Sequence, residues 1–263
     1  MNKRDKAVVI TRPASQAAPL AQKIAAMGRI AEEFPLLEIH PLADSSALDA
    51  VLVTLDQYAL VAFVSPNAID AVFSRIKSWP AGTSIGVMGA GSRAALAVHG
   101  LTDTNARIYS PVDAERTDSE TLLEVLDLPT LQAGKVLIIR GESGRELLAD
   151  ALREQGIPVS QVAAYRRVAP KFTAARQQRL LSMLSTENDW IVTSSEALRT
   201  LLAWAKKLAE EQRGDDAVAK MQQQHLIVPH IRIAETAQSL GFQSITLTAS
   251  GDENLLVALQ SCL

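Results

Sequence analysis

The feature that most constrains this 263-residue chain is an internal repeat: one series of short segments occurs twice, in the same order, at a spacing near half its length. Val8-Val9-Ile10-Thr11-Arg12-Pro13 leads into a stretch with Leu20 and Ile24 that ends at Gly28. Leu137-Ile138-Ile139-Arg140-Gly141 leads into one with Leu148 and Leu152 that ends at Gly156, 128 positions on. Phe63-Val64-Ser65-Pro66-Asn67-Ala68 returns as Val192-Thr193-Ser194-Ser195-Glu196-Ala197 at an offset of 129. A unit closing at Gly100 parallels one closing at Gly241, offset 141, and Glu120-Thr121-Leu122-Leu123 parallels Glu253-Asn254-Leu255-Leu256, offset 133. Glycine after a helix is common to all βα chains, but four units in one order imply two domains of one design. The length agrees, since ~150 residues per domain gives roughly two.

Short apolar, β-branched runs recur at Ala7–Ile10, Leu60–Val64, Ile85–Met88, Val136–Ile139, Trp190–Val192, Leu226–Val228 and Ile245–Leu247, each followed by a helical pattern. This alternation reads as βα units on parallel sheets whose strands are buried on both faces. Aromatic residues make up only 4% of the chain, which disfavours an aromatic-rich β-sandwich. Ser65-Pro66 places a hydroxyl at a helix N-cap and proline at the first helical position. Thr117-x-x-Glu120 and Ser250-x-x-Glu253 are capping-box patterns. Two extended segments, Phe34–Pro41 and Val162–Ala169, follow the first unit of each copy and end at or just before a proline. Read as crossings between domains, they mean that one domain interrupts the other. Residues 1–37 plus 166–263 then form a first α/β domain from both chain ends, and residues 38–165 an inserted second one. The polar stretch Glu210–Gln224 reads as an exposed helix or loop within the later domain.

A net charge of −3 leaves no basic excess to clamp a phosphate backbone, so no nucleic-acid partner is expected. The lone cysteine, Cys262, builds neither a disulfide framework nor a cysteine zinc site and reads as a spare thiol in a reducing compartment. After Lys3, Arg4 and Lys6 the apolar run Ala7–Ile10 is shorter than the ~7 residues of a signal-peptide core. Asp56 interrupts the best membrane-span candidate, around Ala50–Val64, and no stretch reaches ~18 apolar residues. The expectation is a cytoplasmic protein with no membrane partner and no obligate assembly, hence a monomer. His40, His99, His225 and His230 share no ligand spacing, so no metal site is expected. The serine-hydrolase elbow and the P-loop are absent. Gly89-x-Gly91-x-x-Ala94 follows a strand and opens a helix, but Tyr109 stands where a dinucleotide-binding unit would end its next strand in an acid. It reads as a tight turn with free amides.

The repeat instead delivers hydroxyls and small residues from strand ends onto helix N-termini: Thr11-Arg12, Ser65-Pro66-Asn67, Gly89 to Ser92, Arg140-Gly141-x-x-Gly144-Arg145 and Thr193-Ser194-Ser195. Each such end offers unpaired N–H groups and a positive dipole end at the carboxyl edge of a sheet, where open α/β folds bind ligands. For each hydroxyl taken alone, plain helix capping is the competing reading. Five ends with arginines beside them suit a ligand carrying several carboxylates or phosphates, for which arginine supplies a bidentate fork.

VITRP at Val9–Pro13, FVSPNAIDAVF at Phe63–Phe73, IGVMGAGSRAAL at Ile85–Leu96, LIIRGESGRELLADALREQG at Leu137–Gly156 and AAYRR at Ala163–Arg167 together resemble the uroporphyrinogen-III synthases, over nearly the whole chain. The stretch from Val136 to Arg167 is the most specific part. The resemblance implies two similar parallel-sheet α/β domains joined by a two-stranded ladder, the first being discontinuous. It implies closure of the linear tetrapyrrole hydroxymethylbilane to uroporphyrinogen III, with ring D inverted and water lost, without metal or organic cofactor. Loss of hydroxide would give an azafulvene, and attack at the substituted position of ring D a spiro intermediate that fragments and recloses. Uncatalysed closure gives the uninverted isomer, so the main task is conformational, and an acid need only help hydroxide leave. Tyr165 matches the family's tyrosine and is the candidate acid; packing at the domain junction is its alternative role.

In the second copy, His230-Ile231-Arg232-Ile233-Ala234 lacks the glycine and hydroxyl that Gly89 to Ser92 retain, which leaves Arg232 either an anion contact or a solvated helix residue. Adjacent Arg166 and Arg167 point to opposite faces if they lie on a strand, so only one of them can face the substrate. A non-catalytic bilobal ligand-binding or sensor protein, and a synthase-like paralogue without activity, are the alternatives.

Overall fold

The computed structural model describes residues 6–111, 119–144, 146–211 and 216–261. Thr117, Arg145 and Cys262, which carry three of the readings above, lie outside them. The described strands are β1 Val8–Ile10, β2 Ala31–Glu33, β3 Glu38–His40, β4 Leu60–Phe63, β5 Ser84–Val87, β6 Ile108–Tyr109, β7 Val136–Gly141, β8 Val159–Val168, β9 Asp189–Ile191, β10 His225–Val228 and β11 Ser244–Leu247. They form two sheets, ordered β11-β10-β9-β1-β2 and β3-β8-β7-β4-β5-β6. Every pairing in the first is parallel, as is the run β8-β7-β4-β5-β6 in the second. All the apolar runs singled out above are strands.

The chain divides into two compact units, Met1–Glu38 with Val168–Leu263, and Ile39–Arg167. The breaks fall inside β3 and β8, which are neighbours in the second sheet. Setting strand order against the repeat shows how the units are composed. β1 and β2 are the counterparts of β7 and β8, and β4 to β6 of β9 to β11, yet β1 and β2 pair into the sheet of β9 to β11. Of these ten strands each unit thus takes two from one repeat and three from the other, and β3 adds a sixth strand to the second sheet.

Burial follows the strand period of two. In β4, Leu60 and Ala62 enter one core with Val136 and Ile138 of β7, while Val61 and Phe63 enter the opposite core with Leu137 and Ile139. In β1, Val9 joins the core around Phe34, Trp190 and Trp204, and Val8 and Ile10 the one around Leu20 and Ile24. Strands buried on both faces read as unbroken apolar runs for this reason.

The break between the units at Arg167/Val168 falls within Val162–Ala169, and Val162 to Val168 are also the second part of the ten-residue β8, whose register with β7 runs on to Tyr165. One local reading is corrected. The stretch Glu210–Gln224 is not simply exposed, because the helix Ala217–Gln222 turns Ala217 and Met221 fully into the core. β2 and β6 were not anticipated; they are short edge strands without an apolar run. At Ser250 the hydroxyl donates to the Pro229 carbonyl, 3.3 Å away.

At the amino ends of β9 and β10 the first unit carries a buried polar row. Asp189 accepts from Arg29 Nη2 at 2.7 Å and lies 2.7 Å from His225 Nδ1, while His225 Nε2 lies 2.9 Å from Thr246 Oγ1. Arg29 also donates to the Lys6 carbonyl. Burial pushes the Asp189 carboxyl up, but the hydrogen bonds from His225 and Arg29 outweigh it and hold the group below the usual aspartate range. The row ties β9, β10 and β11 to the turn that precedes β2.

Candidate active site

Open parallel sheets bind ligands where neighbouring strands send the chain in opposite directions across the sheet, at their carboxyl ends. Each unit has one such point. In Ile39–Arg167 it lies between β4 and β7, and in the other unit between β1 and β9. The candidate residues cluster at the carboxyl ends of these strands and their neighbours.

In the inserted unit, β4 runs into Ser65, whose hydroxyl caps the helix Pro66–Phe73 by accepting from the Ala68 N–H at 3.2 Å. Pro66 sits at the first helical position, as its fixed φ favours, with Asn67 half-buried beside it. Tyr165 is 5% exposed, and its hydroxyl lies 2.9 Å from Ser65 Oγ. A β-bulge brings it there. Arg140 pairs with Ala163 but Gly141 pairs with Tyr165, so Ala164 is an extra residue on β8. Strict alternation would send Tyr165 to the face opposite Val162 and Ala164; with the bulge, all three enter the same core. The Glu142 N–H closes the bulge by donating to the Tyr165 carbonyl at 2.8 Å.

The ring of Tyr165 fills the space where a side chain at position 141 would stand: a Cβ there would lie 3.1–3.2 Å from three of its atoms. Gly141→Ala is therefore expected to shift the phenol off Ser65 and lower turnover about tenfold, a loss of roughly 1.4 kcal/mol in transition-state binding, measurable as kcat with folding followed by circular dichroism. Gly89, with φ +152° and ψ −168°, caps the helix Ala90–Val98 in a conformation essentially confined to glycine. The first turn of that helix lies beside Pro66, 3.9 Å from where a Cβ on Gly91 would be, and Ser92 is buried in it.

Arg140 does not stand as a free cation. Its side chain is 11% exposed and ion-paired with Glu146, and Nη1 also donates to Gln161 Oε1 at 2.8 Å. Gly144 makes room for it, since a Cβ there would meet Nη2 at 2.8 Å. The hydrogen bonds from Gln161 and Arg140 hold Glu146 below the usual carboxylate range. These side chains, with Gly141, Glu142, Val162 and Ala163, line an open pocket of about 170 Å³. Arg166 is exposed, whereas Arg167 turns to the Ser143 carbonyl at 3.0 Å.

In the other unit, Thr11 is buried and donates to the Ile191 carbonyl at 2.9 Å, tying β1 to β9. Arg12 too is already neutralised: it is 14% exposed and donates to Asp252 at 2.6 Å. Ser194 caps the helix Ser195–Glu211 by accepting from the Glu196 and Ala197 N–H groups, while Thr193 is half-buried beside it. Thr236 spends its single hydroxyl proton on the Arg232 carbonyl, so Ser195, 3.1 Å from Thr236 Oγ1, must be the donor to it. At the altered turn, His230 replaces the missing glycine and hydroxyl as a cap: its Nδ1 accepts from the Arg232 N–H at 3.2 Å. Arg232 is exposed.

The sequence reading missed Glu146, Gln161 and Asp252. Asp252 is an acid in the first turn of a helix, a signal available in sequence, but nothing there tied it to Arg12, 240 positions away. Gln161 faces Arg140 only through the register of β7 with β8. Among the described residues, no group of three or more His, Cys, Asp or Glu side chains is placed to hold a metal ion. None of the described helices is long and apolar enough to cross a membrane.

The family model described as "Uroporphyrinogen-III synthase HemD" matches residues 18–255. The chain is similar to the uroporphyrinogen-III synthase of Salmonella typhimurium (strain LT2), at 29% identity over 258 residues, covering 96% of this chain and 99% of the relative. It is also similar to that of Escherichia coli (strain K12), at 29% identity over 263 residues with the same coverage. Among solved structures, the uroporphyrinogen-III synthetase from Helicobacter pylori 26695 shares the fold at a TM-score of 0.60 and 16% identity, covering 97% of this chain and 99% of that one. A mutant uroporphyrinogen III synthase from the extremely thermophilic bacterium Thermus thermophilus does so at a TM-score of 0.57 and 14% identity, covering 98% of both chains.

Proposed function

The chain belongs to the uroporphyrinogen-III synthase family, and from that membership we propose which of its residues carry the reaction. It is an enzyme of haem biosynthesis that closes hydroxymethylbilane to uroporphyrinogen III, inverting ring D and releasing water. In our reading Tyr165 is the catalytic residue. Its phenol hydrogen-bonds to the departing hydroxyl of the substrate and helps it leave as water. The observation that carries this role is the 2.9 Å contact between Tyr165 and Ser65 at the β4/β7 switch point. If Ser65 donates to the phenol oxygen while accepting from the Ala68 N–H, the phenol proton stays available for the substrate. The chain of hydrogen bonds from the helix N-terminus then polarises the phenol as a donor.

The substrate is a polyanion with acetate and propionate groups on every pyrrole. We assign its carboxylates to the strand ends and helix starts at Ser65, Pro66, Asn67, Gly89, Ser92, Arg140, Gly141 and Gly144 in one unit, and at Arg12, Thr193, Ser194 and Ser195 in the other; Pro66, which has no N–H, only sets the helix start, and Thr11, whose N–H and hydroxyl both bond the Ile191 carbonyl, only holds its strand end in place. Because Arg12 and Arg140 are already paired with acids, backbone N–H groups at helix starts carry more of this binding than free guanidinium charge. The proposal includes two domains corresponding to residues 1–37 plus 166–263 and residues 38–165. It also includes a cytoplasmic, monomeric enzyme acting without metal or organic cofactor. Supplying hydroxymethylbilane to the purified chain and identifying the isomer tests the assignment: uroporphyrinogen III is expected, and uroporphyrinogen I alone, as in the uncatalysed closure, would overturn it.

A further inference from the structure

We propose that Glu146 and Gln161 are positioning residues that grip the Nη1 end of Arg140 and leave its Nε and Nη2 donors to a carboxylate of the substrate. The inference rests on the synthase reading and deepens it. Three side chains form a closed ring: Arg140 Nη1 donates to one oxygen of Glu146 and to Gln161 Oε1, and Gln161 Nε2 donates to the other oxygen of Glu146. Donors and acceptors match in one arrangement only. With the Gln161 amide reversed, its NH₂ would face the guanidinium and its oxygen the carboxylate.

The register explains the meeting. Arg140 pairs with Ala163 on β8, and Gln161, two residues earlier, points to the same face. Gly144 completes the seat, because any side chain there would collide with Nη2. Nε and Nη2 have no protein acceptor among the described residues, although the side chain is only 11% exposed.

The pocket beside this ring, about 170 Å³, has room for one carboxymethyl or carboxyethyl arm and is far too small for a tetrapyrrole. Glu142 and Glu146 line it with Arg140, so it has no cationic excess. What it offers a carboxylate is the aim of a planar fork, and a guanidinium on a flexible stem holds that aim only if something fixes its far end.

The test is a kinetic cycle with hydroxymethylbilane on the full chain. Glu146→Ala and Gln161→Ala are each expected to raise KM about tenfold with kcat within about twofold, the size of one charged hydrogen bond. Neither should raise it further in an Arg140→Ala background, because their effect passes through that arginine. An unchanged or lowered KM, or the full rise persisting without Arg140, overturns the inference. If Glu146→Ala lost cooperative melting, Gln161→Ala would carry the same expectation. A wild-type chain that yields only uroporphyrinogen I refutes the synthase reading itself, whereas normal product with insensitive variants refutes the positioning role alone.

Discussion

Tyr165→Phe is expected to lower kcat for uroporphyrinogen III formation about 100-fold, at the lower end of what a positioned proton donor contributes. The phenol is the group that the β8 bulge delivers to Ser65, and phenylalanine fills the same space against Gly141. The variant should therefore fold. Its stability should fall by only about 1 kcal/mol, the net worth of one hydrogen bond, since Ser65 keeps its capping contact with Ala68. The measurement is a stopped assay with isomer analysis. As the enzymatic rate drops, spontaneous closure competes and the fraction of uroporphyrinogen I rises. A kcat within twofold of wild type, in a folded variant, would remove Tyr165 from the chemistry and leave it a packing role against Gly141 in the core of its own unit.

The largest loss of stability is expected in the other unit, at Asp189. Asp189→Ala leaves the Arg29 guanidinium, 2% exposed, without its counter-charge and His225 Nδ1 without its partner. Breaking a buried pair from one side costs about 3–5 kcal/mol, a large share of the ~5–15 kcal/mol that holds a typical domain together. Urea unfolding measures it. The double variant Arg29→Met with Asp189→Leu should lose less than Asp189→Ala, because no buried charge is left uncompensated. The same site sets an acid limit. Since its folded-state pKa is depressed, the stabilisation from Asp189 is fully present above the unfolded-state value and is lost as pH falls through the folded one. The difference in midpoint between wild type and Asp189→Asn should be constant near neutrality and shrink below about pH 4. A difference that stayed flat into acid would show that the carboxylate charge contributes nothing there.

What could be read in sequence, and what could not, separates along physical lines. β1, β4, β5, β7, β9 and β10 are legible because central parallel strands are buried on both faces and spell apolar runs. β2, as Ala-Glu-Glu, and the two-residue β6 are edges with one half-open side and spell nothing. The cap at Ser65 is legible because a cap is local. The bulge at Ala164 is not, because it exists only in the register between two strands, and with it goes the reason why Tyr165 meets Ser65. Arg12 and Arg140 stand out as cations at strand ends, but their acids reach them through tertiary packing. An expectation of free cations therefore gave way to paired ones. The pairing of β1 with β9 follows from two crossings, whereas the exchange of strands between repeats emerges only when sheet order is set beside the offsets.

That exchange dictates a timetable on the ribosome. Val8 finds its partner in β9 only at Asp189, 181 residues later, which at roughly 5–20 residues per second means about 10–35 s of waiting. Through that interval β1 has only β2 beside it, and a two-stranded ribbon is marginal in water. Ile39–Arg167 meanwhile emerges in one piece with every strand from β4 to β8 in hand. The nascent chain therefore has its middle unit complete first, while β1 carries a bare apolar edge until β9 has been made.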